Sequence, residues 1–101
     1  MNQQLSSNKP IEICIPRVSI EITRQFIFQT FCKLKIGYIE KIIEIPLRAD
    51  ANFKRIIIRI KWNTNPGYSE YMQSRLKNNE PLNIVYNMPW YWKIVASHPQ
   101  K

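Results

Sequence analysis

Phe53-Lys54-Arg55-Ile56-Ile57-Ile58-Arg59-Ile60-Lys61-Trp62 carries two interleaved sets of residues: Ile56, Ile58, Ile60 and Trp62 in one phase, and Arg55, Ile57, Arg59 and Lys61 in the other. Side chains along a strand alternate between faces, so this period of two predicts a β-strand with the isoleucine phase in a core and the basic phase toward solvent. Such a strand needs neighbouring strands and a second layer over its apolar face.

Both are found by reading outward. On the N-terminal side, Arg48-Ala49-Asp50-Ala51-Asn52 has turn composition, and residues 38–47, dense in isoleucine and stopped by Pro46, read as another strand. Before that, Thr23 is a plausible N-cap for a helix over residues 24–36, in which Ile27, Phe31 and Leu34 recur at helical spacing. Gly37 is suited to the left-handed position that closes a helix. Residues 11–18 alternate again, predicting a first strand with Ile11, Ile13 and Ile15 inward and Pro16 as its end.

On the C-terminal side, residues 63–67 read as a loop, and Tyr68, Met72 and Leu76 mark a second helix that should stop before Pro81. Residues 82–86 and 90–96 are strand-like runs separated by Asn87-Met88-Pro89. The second run is read as the fourth strand and the first as a short extension leading into it. The expected architecture is α+β: a two-layer βαββαβ sandwich of ferredoxin-like type, a four-stranded antiparallel sheet with two helices on one face. Its other face is left open.

At 101 residues the chain is long enough for one core and too short for two. We expect a domain over residues 11–97 between flexible tails at 1–10 and 98–101. No apolar run approaches the roughly 18 residues of a membrane span, and the first ten residues lack the apolar centre of a secretory signal. A soluble, intracellular protein with no membrane partner is expected.

The sequence is poor in the groups that catalysis needs. Asp50 is the only aspartate, the six glutamates are scattered, and the two glycines, Gly37 and Gly67, form no phosphate-cradling loop. Cys14 and Cys32 are too few and too far apart for a zinc site, and the single histidine, His98, falls in the tail. Both cysteines read as small buried or half-buried apolar residues. No enzyme activity, cofactor, metal or small-molecule substrate is expected.

Binding is better supplied. Fifteen Lys and Arg stand against seven Asp and Glu, a net charge of +8, and a domain this basic attracts polyanions. Arg55, Arg59 and Lys61 form a basic ladder, with Lys93 of the last strand beside it, and guanidinium groups pair bidentately with phosphates. Trp90, Tyr91 and Trp92 cannot all face inward on a strand, so either Tyr91 or the two tryptophans must be at least partly exposed. An exposed ring there would stack a base or anchor a protein partner. Phe53 and Tyr86 share that ambiguity.

The order of elements resembles the RNA recognition motif (RRM). Residues Ile13-Cys14-Ile15-Pro16-Arg17-Val18 look like its first-strand signature, Arg55-Ile56-Ile57-Ile58-Arg59-Ile60 stands in the place of its third-strand signature, and Ile36-Gly37-Tyr38-Ile39 looks like its helix-to-strand junction. More narrowly, Ile-Pro-Arg-Val at 15–18, Ile-Val-Tyr at 84–86 and Pro-Trp-Tyr-Trp-Lys at 89–93 are similar to small RRM-like proteins of large nucleocytoplasmic DNA viruses. That resemblance implies a viral protein of the host cytoplasm or virion. The family reads RNA by stacking bases on exposed aromatics of its first and third strands. The corresponding residues here are Cys14, Arg55 and Ile57, none of them aromatic, and the glycine that usually precedes the third-strand ring is absent. The expected function is a non-catalytic binder of single-stranded nucleic acid, RNA or single-stranded DNA, with weak sequence preference. Arg55, Ile57, Arg59, Lys61, Tyr91 and Lys93 are its binding residues, and Phe53, Tyr86, Trp90 and Trp92 its candidate stacking rings or partner anchors. The alternative is a protein-interaction or structural module of a viral assembly, using Ile43, Ile57 and the Trp-Tyr-Trp segment as an apolar patch.

Overall fold

The computed structural model describes residues 11–63 and 68–97. The expected tails, His98 and most of the loop before the second helix lie outside them. In chain order the elements are β1 (Glu12–Ser19), α1 (Arg24–Lys33), β2 (Gly37–Pro46), β3 (Phe53–Trp62), α2 (Tyr68–Lys77), β4 (Leu82–Asn87) and β5 (Trp90–Ser97). The strands form one antiparallel sheet in the order β2-β3-β1-β5-β4. The protein is therefore α+β, with five strands among the described residues rather than the four expected.

The extra strand is the run taken as a mere extension. Leu82 pairs with Ile94 and Ile84 with Trp92, which brings Leu82 and Ile84 into the core beside their β5 partners. Two short apolar runs joined by a tight turn can satisfy each other's backbone groups, and here they form a hairpin at the sheet's rim.

One face of the sheet carries the core. Ile13 and Ile15 of β1, Ile56, Ile58 and Ile60 of β3 and Ile94 of β5 are almost fully buried, together with Ile27 and Phe31 of α1 and Met72 and Leu76 of α2. Both helices contribute to this one cluster, so both cover the same face. The isoleucine phase of β3 thus does what its alternation predicts. Lys54 departs from the pattern: it occupies the core phase and is 5% exposed. Its ammonium donates to the Ile22 carbonyl at 2.7 Å and to Glu44 Oε1 at 2.6 Å, and Glu44 also accepts from Arg24 at 2.6 Å. A charge buried this deeply is tolerated because it is paired and hydrogen-bonded.

Pro16 does not end β1, which continues to Ser19. The ladder to β3 is irregular between Ile15 and Val18, and a proline that cannot donate to a ladder is accommodated at such a bulge. Two residues, Pro16 and Arg17, lie between the core residues Ile15 and Val18, so the bulge resets the phase of the strand.

Thr23 caps α1 as expected, its hydroxyl accepting from the Phe26 amide at 3.1 Å. The helix ends earlier than expected, at Lys33, leaving Leu34 38% exposed instead of on the buried face. Lys35 (φ 59°), not Gly37, adopts the left-handed conformation. The Ile36 amide bonds to the Phe31 carbonyl and the Lys35 amide to that of Cys32, the paired closure of a Schellman motif. α2 closes in the same way through Asn79 (φ 63°), well before Pro81. Gly37 instead opens β2 for a different reason: a Cβ there would sit 2.5 Å from the Lys61 carbonyl oxygen.

Candidate functional site

The face of the sheet opposite the helices is covered by no element among the described residues. Strand pairing arranges its side chains in rows. The middle row runs Ile43, Ile57, Cys14, Val95 across β2, β3, β1 and β5, and is wholly apolar apart from the thiol. Burial pushes the Cys14 thiol above its usual range, with Arg55 pulling weakly the other way. Near neutral pH it is a protonated, apolar group, not a nucleophile.

Cations flank this row. Arg59 pairs across the ladder with Lys41, and its Nε donates to Glu12 at 3.1 Å. Arg55 lies opposite Ile45, and Lys93 opposite Asn83. Lys61 extends the basic phase of β3 and faces Tyr38, whose ring meets Phe28 of α1 edge-on at 5.7 Å. Arg55, Arg59, Lys61 and Lys93 are all exposed, and Ile57 is half-buried among them. Arg59 is partly neutralised by Glu12, but an exposed pair of this kind holds its partners weakly and is easily exchanged for a phosphate.

The rings divide between the two faces. Tyr91, opposite Val85 on the open face, is 55% exposed. Trp92 is 4% exposed, and Tyr86 stacks on it at 4.4 Å while Phe26 of α1 meets both edge-on. Trp92 is therefore part of the packing beneath α1 and presents no free ring to a ligand, which corrects the expectation that it serves as a stacking surface, whereas Tyr86 packs on it with one face and is half-buried. Trp90 follows the phase of Trp92 but lies past the end of the core, beside the turn, and is 63% exposed. The two tryptophans thus do not share a fate, because β5 runs beyond the helical layer at its first residue. Phe53 has the phase of the open face and is half-buried beneath Arg17, whose guanidinium carbon stands 3.8 Å from the ring centroid.

Two residues of this face, Arg17 and Lys41, were not anticipated. Arg17 lies within the break in the ladder between Ile15 and Val18 of β1, and Lys41 follows the one after Ile39 in β2, places where strict alternation assigns the wrong side. A basic residue just after a proline in mid-strand is the signal that was available for Arg17. Cys32, expected to be at least half-buried, is exposed because it lies in the last turn of α1 away from the sheet.

Among the described residues no helix is long and apolar enough to cross a membrane, and no group of three or more His, Cys, Asp or Glu side chains is placed to hold a metal ion. Comparison with protein-family models, with curated proteins and with solved structures returns no match.

Proposed function

We propose that this protein is a non-catalytic binding module that holds single-stranded nucleic acid, RNA in the first instance, on the open face of its sheet. The observation that carries the reading is that Arg55, Arg59, Lys61 and Lys93 are exposed together on the sheet face that no helix of the described residues covers. The order β2-β3-β1-β5, with both helices on the opposite side, supports an RRM-like arrangement to which β4 is added at the rim. A viral origin, in the virion or the host cytoplasm, belongs to the same reading.

Contacts of this kind engage phosphates and position a strand without reading its sequence. Affinity should therefore be modest, sequence-tolerant and salt-sensitive. Each phosphate neutralised on a single strand contributes about −0.7 to the slope of log K against log salt, so four cations give a slope of roughly −3. A fluorescence anisotropy titration of a labelled RNA oligonucleotide over a range of salt concentrations measures it. Absence of affinity for any polynucleotide at low salt overturns the proposal.

The apolar middle row favours a second reading, in which Ile43, Ile57 and Val95 dock a protein partner of a viral assembly. Replacing Arg55 and Arg59 together by Ala separates the two. It weakens nucleic-acid binding about ten-fold or more under the first reading and leaves a protein complex largely intact under the second.

A further inference from the structure

Phosphate contacts leave the rings of the open face without a role. Resting on the reading of that face as a nucleic-acid surface, we infer that its base-contacting part is one end of the sheet, where Arg17 lies on Phe53 and Tyr91 stands beside Lys93. The ligand class this end selects is single strands with unpaired bases, over duplexes and over polyanions at large.

The middle of the face has no π surface to offer, since its row is Ile57, Cys14 and Val95 with Ile43 at the edge. The end of the face is different. Phe53 pairs with Ser19 at the close of β1, and β5 runs antiparallel to β1, so the beginnings of β3 and β5 lie at the same end of the sheet. There the Arg17 guanidinium covers the Phe53 ring at 3.8 Å while its own side chain remains 60% exposed. Its contact to Asp50, 3.5 Å and exposed, is too weak to hold it from a ligand. A planar cation backed by a ring offers its outer plane to a base, as guanidinium groups do in single-strand recognition.

Tyr91 supplies the second plane. Successive same-face positions on a strand are about 7 Å apart, which sets Lys93 one step from Tyr91 and Arg55 one step from Phe53. In the sheet order only β1 separates β3 from β5, roughly 10 Å across where all three are paired at Ile57, Cys14 and Val95. Each ring or ring-backed plane therefore has a cation one step further along its own strand, and both pairs lie toward the same end of the sheet. A strand laid over this end meets stacking surfaces and charges in alternation. Bases inside a duplex present their edges and not their faces, so a duplex can use the charges alone.

The test is an anisotropy titration of the full chain at one low salt concentration with three probes: a labelled oligouridylate, an RNA duplex of the same length and labelled inorganic polyphosphate. Oligouridylate is expected to bind about ten-fold more tightly than the other two. Tyr91→Ala, which removes the ring, and Arg17→Lys, which keeps the charge and loses the plane, should each weaken oligouridylate on the order of ten-fold while leaving polyphosphate unchanged. Tyr91→Phe should retain the preference. Circular dichroism and urea midpoints matching the parent chain establish that the variants fold. Equal binding of all three probes, with Tyr91→Ala and Arg17→Lys silent, overturns the inference and leaves the basic face standing as a phosphate surface. Loss of binding to every polynucleotide overturns both. Binding to phosphatidylserine vesicles that depends on Tyr91, with no preference among the three probes, overturns the inference in favour of a membrane surface.

Discussion

Ile58 and Ile57 are neighbours on β3, yet they live in different environments. Ile58 is fully buried, between Ile13 of β1 and Ile42 of β2 and beneath the helical layer. Ile57 is half-buried on the open face, among Ile43, Cys14 and two arginines. The same division runs through the sheet: one face is nearly continuous isoleucine, the other an apolar row between cations. Stability is concentrated on the first face, which leaves the composition of the second free to answer to a ligand. Parity along the strand, more than residue type, decides what a substitution does.

The comparison breaks if the two faces respond alike. Ile58→Ala should cost about 2–5 kcal/mol in urea unfolding, the range for truncating a buried aliphatic side chain, and Ile57→Ala less than about 1.5 kcal/mol. Comparable losses would mean that something covers the open face in solution. The next largest effect concerns two adjacent cations. Lys54→Ala should cost roughly 1–3 kcal/mol, because it leaves the Ile22 carbonyl without its donor and removes one of two partners from Glu44. Arg55→Ala, one residue on, should change stability by less than about 0.5 kcal/mol.

The Lys54–Glu44 pair also carries a pH signature. Hydrogen bonds from Lys54 and then Arg24 hold the Glu44 carboxyl below its ordinary value of 4.5. A carboxylate whose folded value is depressed contributes stability that is complete above the unfolded value and is lost as pH falls through the folded one. The urea midpoint should therefore fall as pH drops below about 4.5, and Lys54→Ala should flatten that fall.

Smaller effects sharpen the contrast without touching the fold. The double variant Arg55→Ala and Lys93→Ala should weaken RNA binding roughly ten-fold and reduce the steepness of the salt slope by about 1.4, with an unchanged melting midpoint. The smallest difference is chemical. Exposed Cys32 should react with a thiol reagent well before half-buried Cys14, whose raised pKa keeps it protonated at neutral pH. Rates followed in Cys32→Ser and Cys14→Ser chains assign each phase.

The legible parts of the sequence are those where one local signal acts without competition. β3 occupies the residues its alternation marks, and Thr23 caps α1 through the hydroxyl that made it a candidate. What was not legible depends on distant partners. Pro16 is a strand breaker by its own chemistry, but the irregular pairing of β1 with β3 accommodates it, and that bulge moves Arg17 over Phe53. Gly37 has the conformational freedom of a helix terminator, but its position is dictated by a carbonyl of Lys61, far away in sequence. Lys54 is basic within a basic strand, and only the Ile22 carbonyl and Glu44 make its burial possible. At the candidate site, the basic phase of β3 could be read directly, whereas the separation of Trp90 from Trp92 depends on where the helical layer ends.

The β4–β5 hairpin joins the sheet through few pairings. β5 meets β1 only from Glu12 to Cys14, while β2 and β3 are zipped along nearly their whole length. Within the sheet, then, the hairpin is a flap hung from its C-terminal half, with Tyr91 near its free end and Lys93 closer to the hinge. Peeling of that flap would break a short ladder, uncover Leu82, Ile84, Trp92 and Ile94 of the core, and separate Tyr91 from the Arg17–Phe53 pair. Hydrogen exchange reads whether this unit opens below the free energy of global unfolding, and a ligand bridging both sides of the seam would then slow exchange in β4 and β5 first.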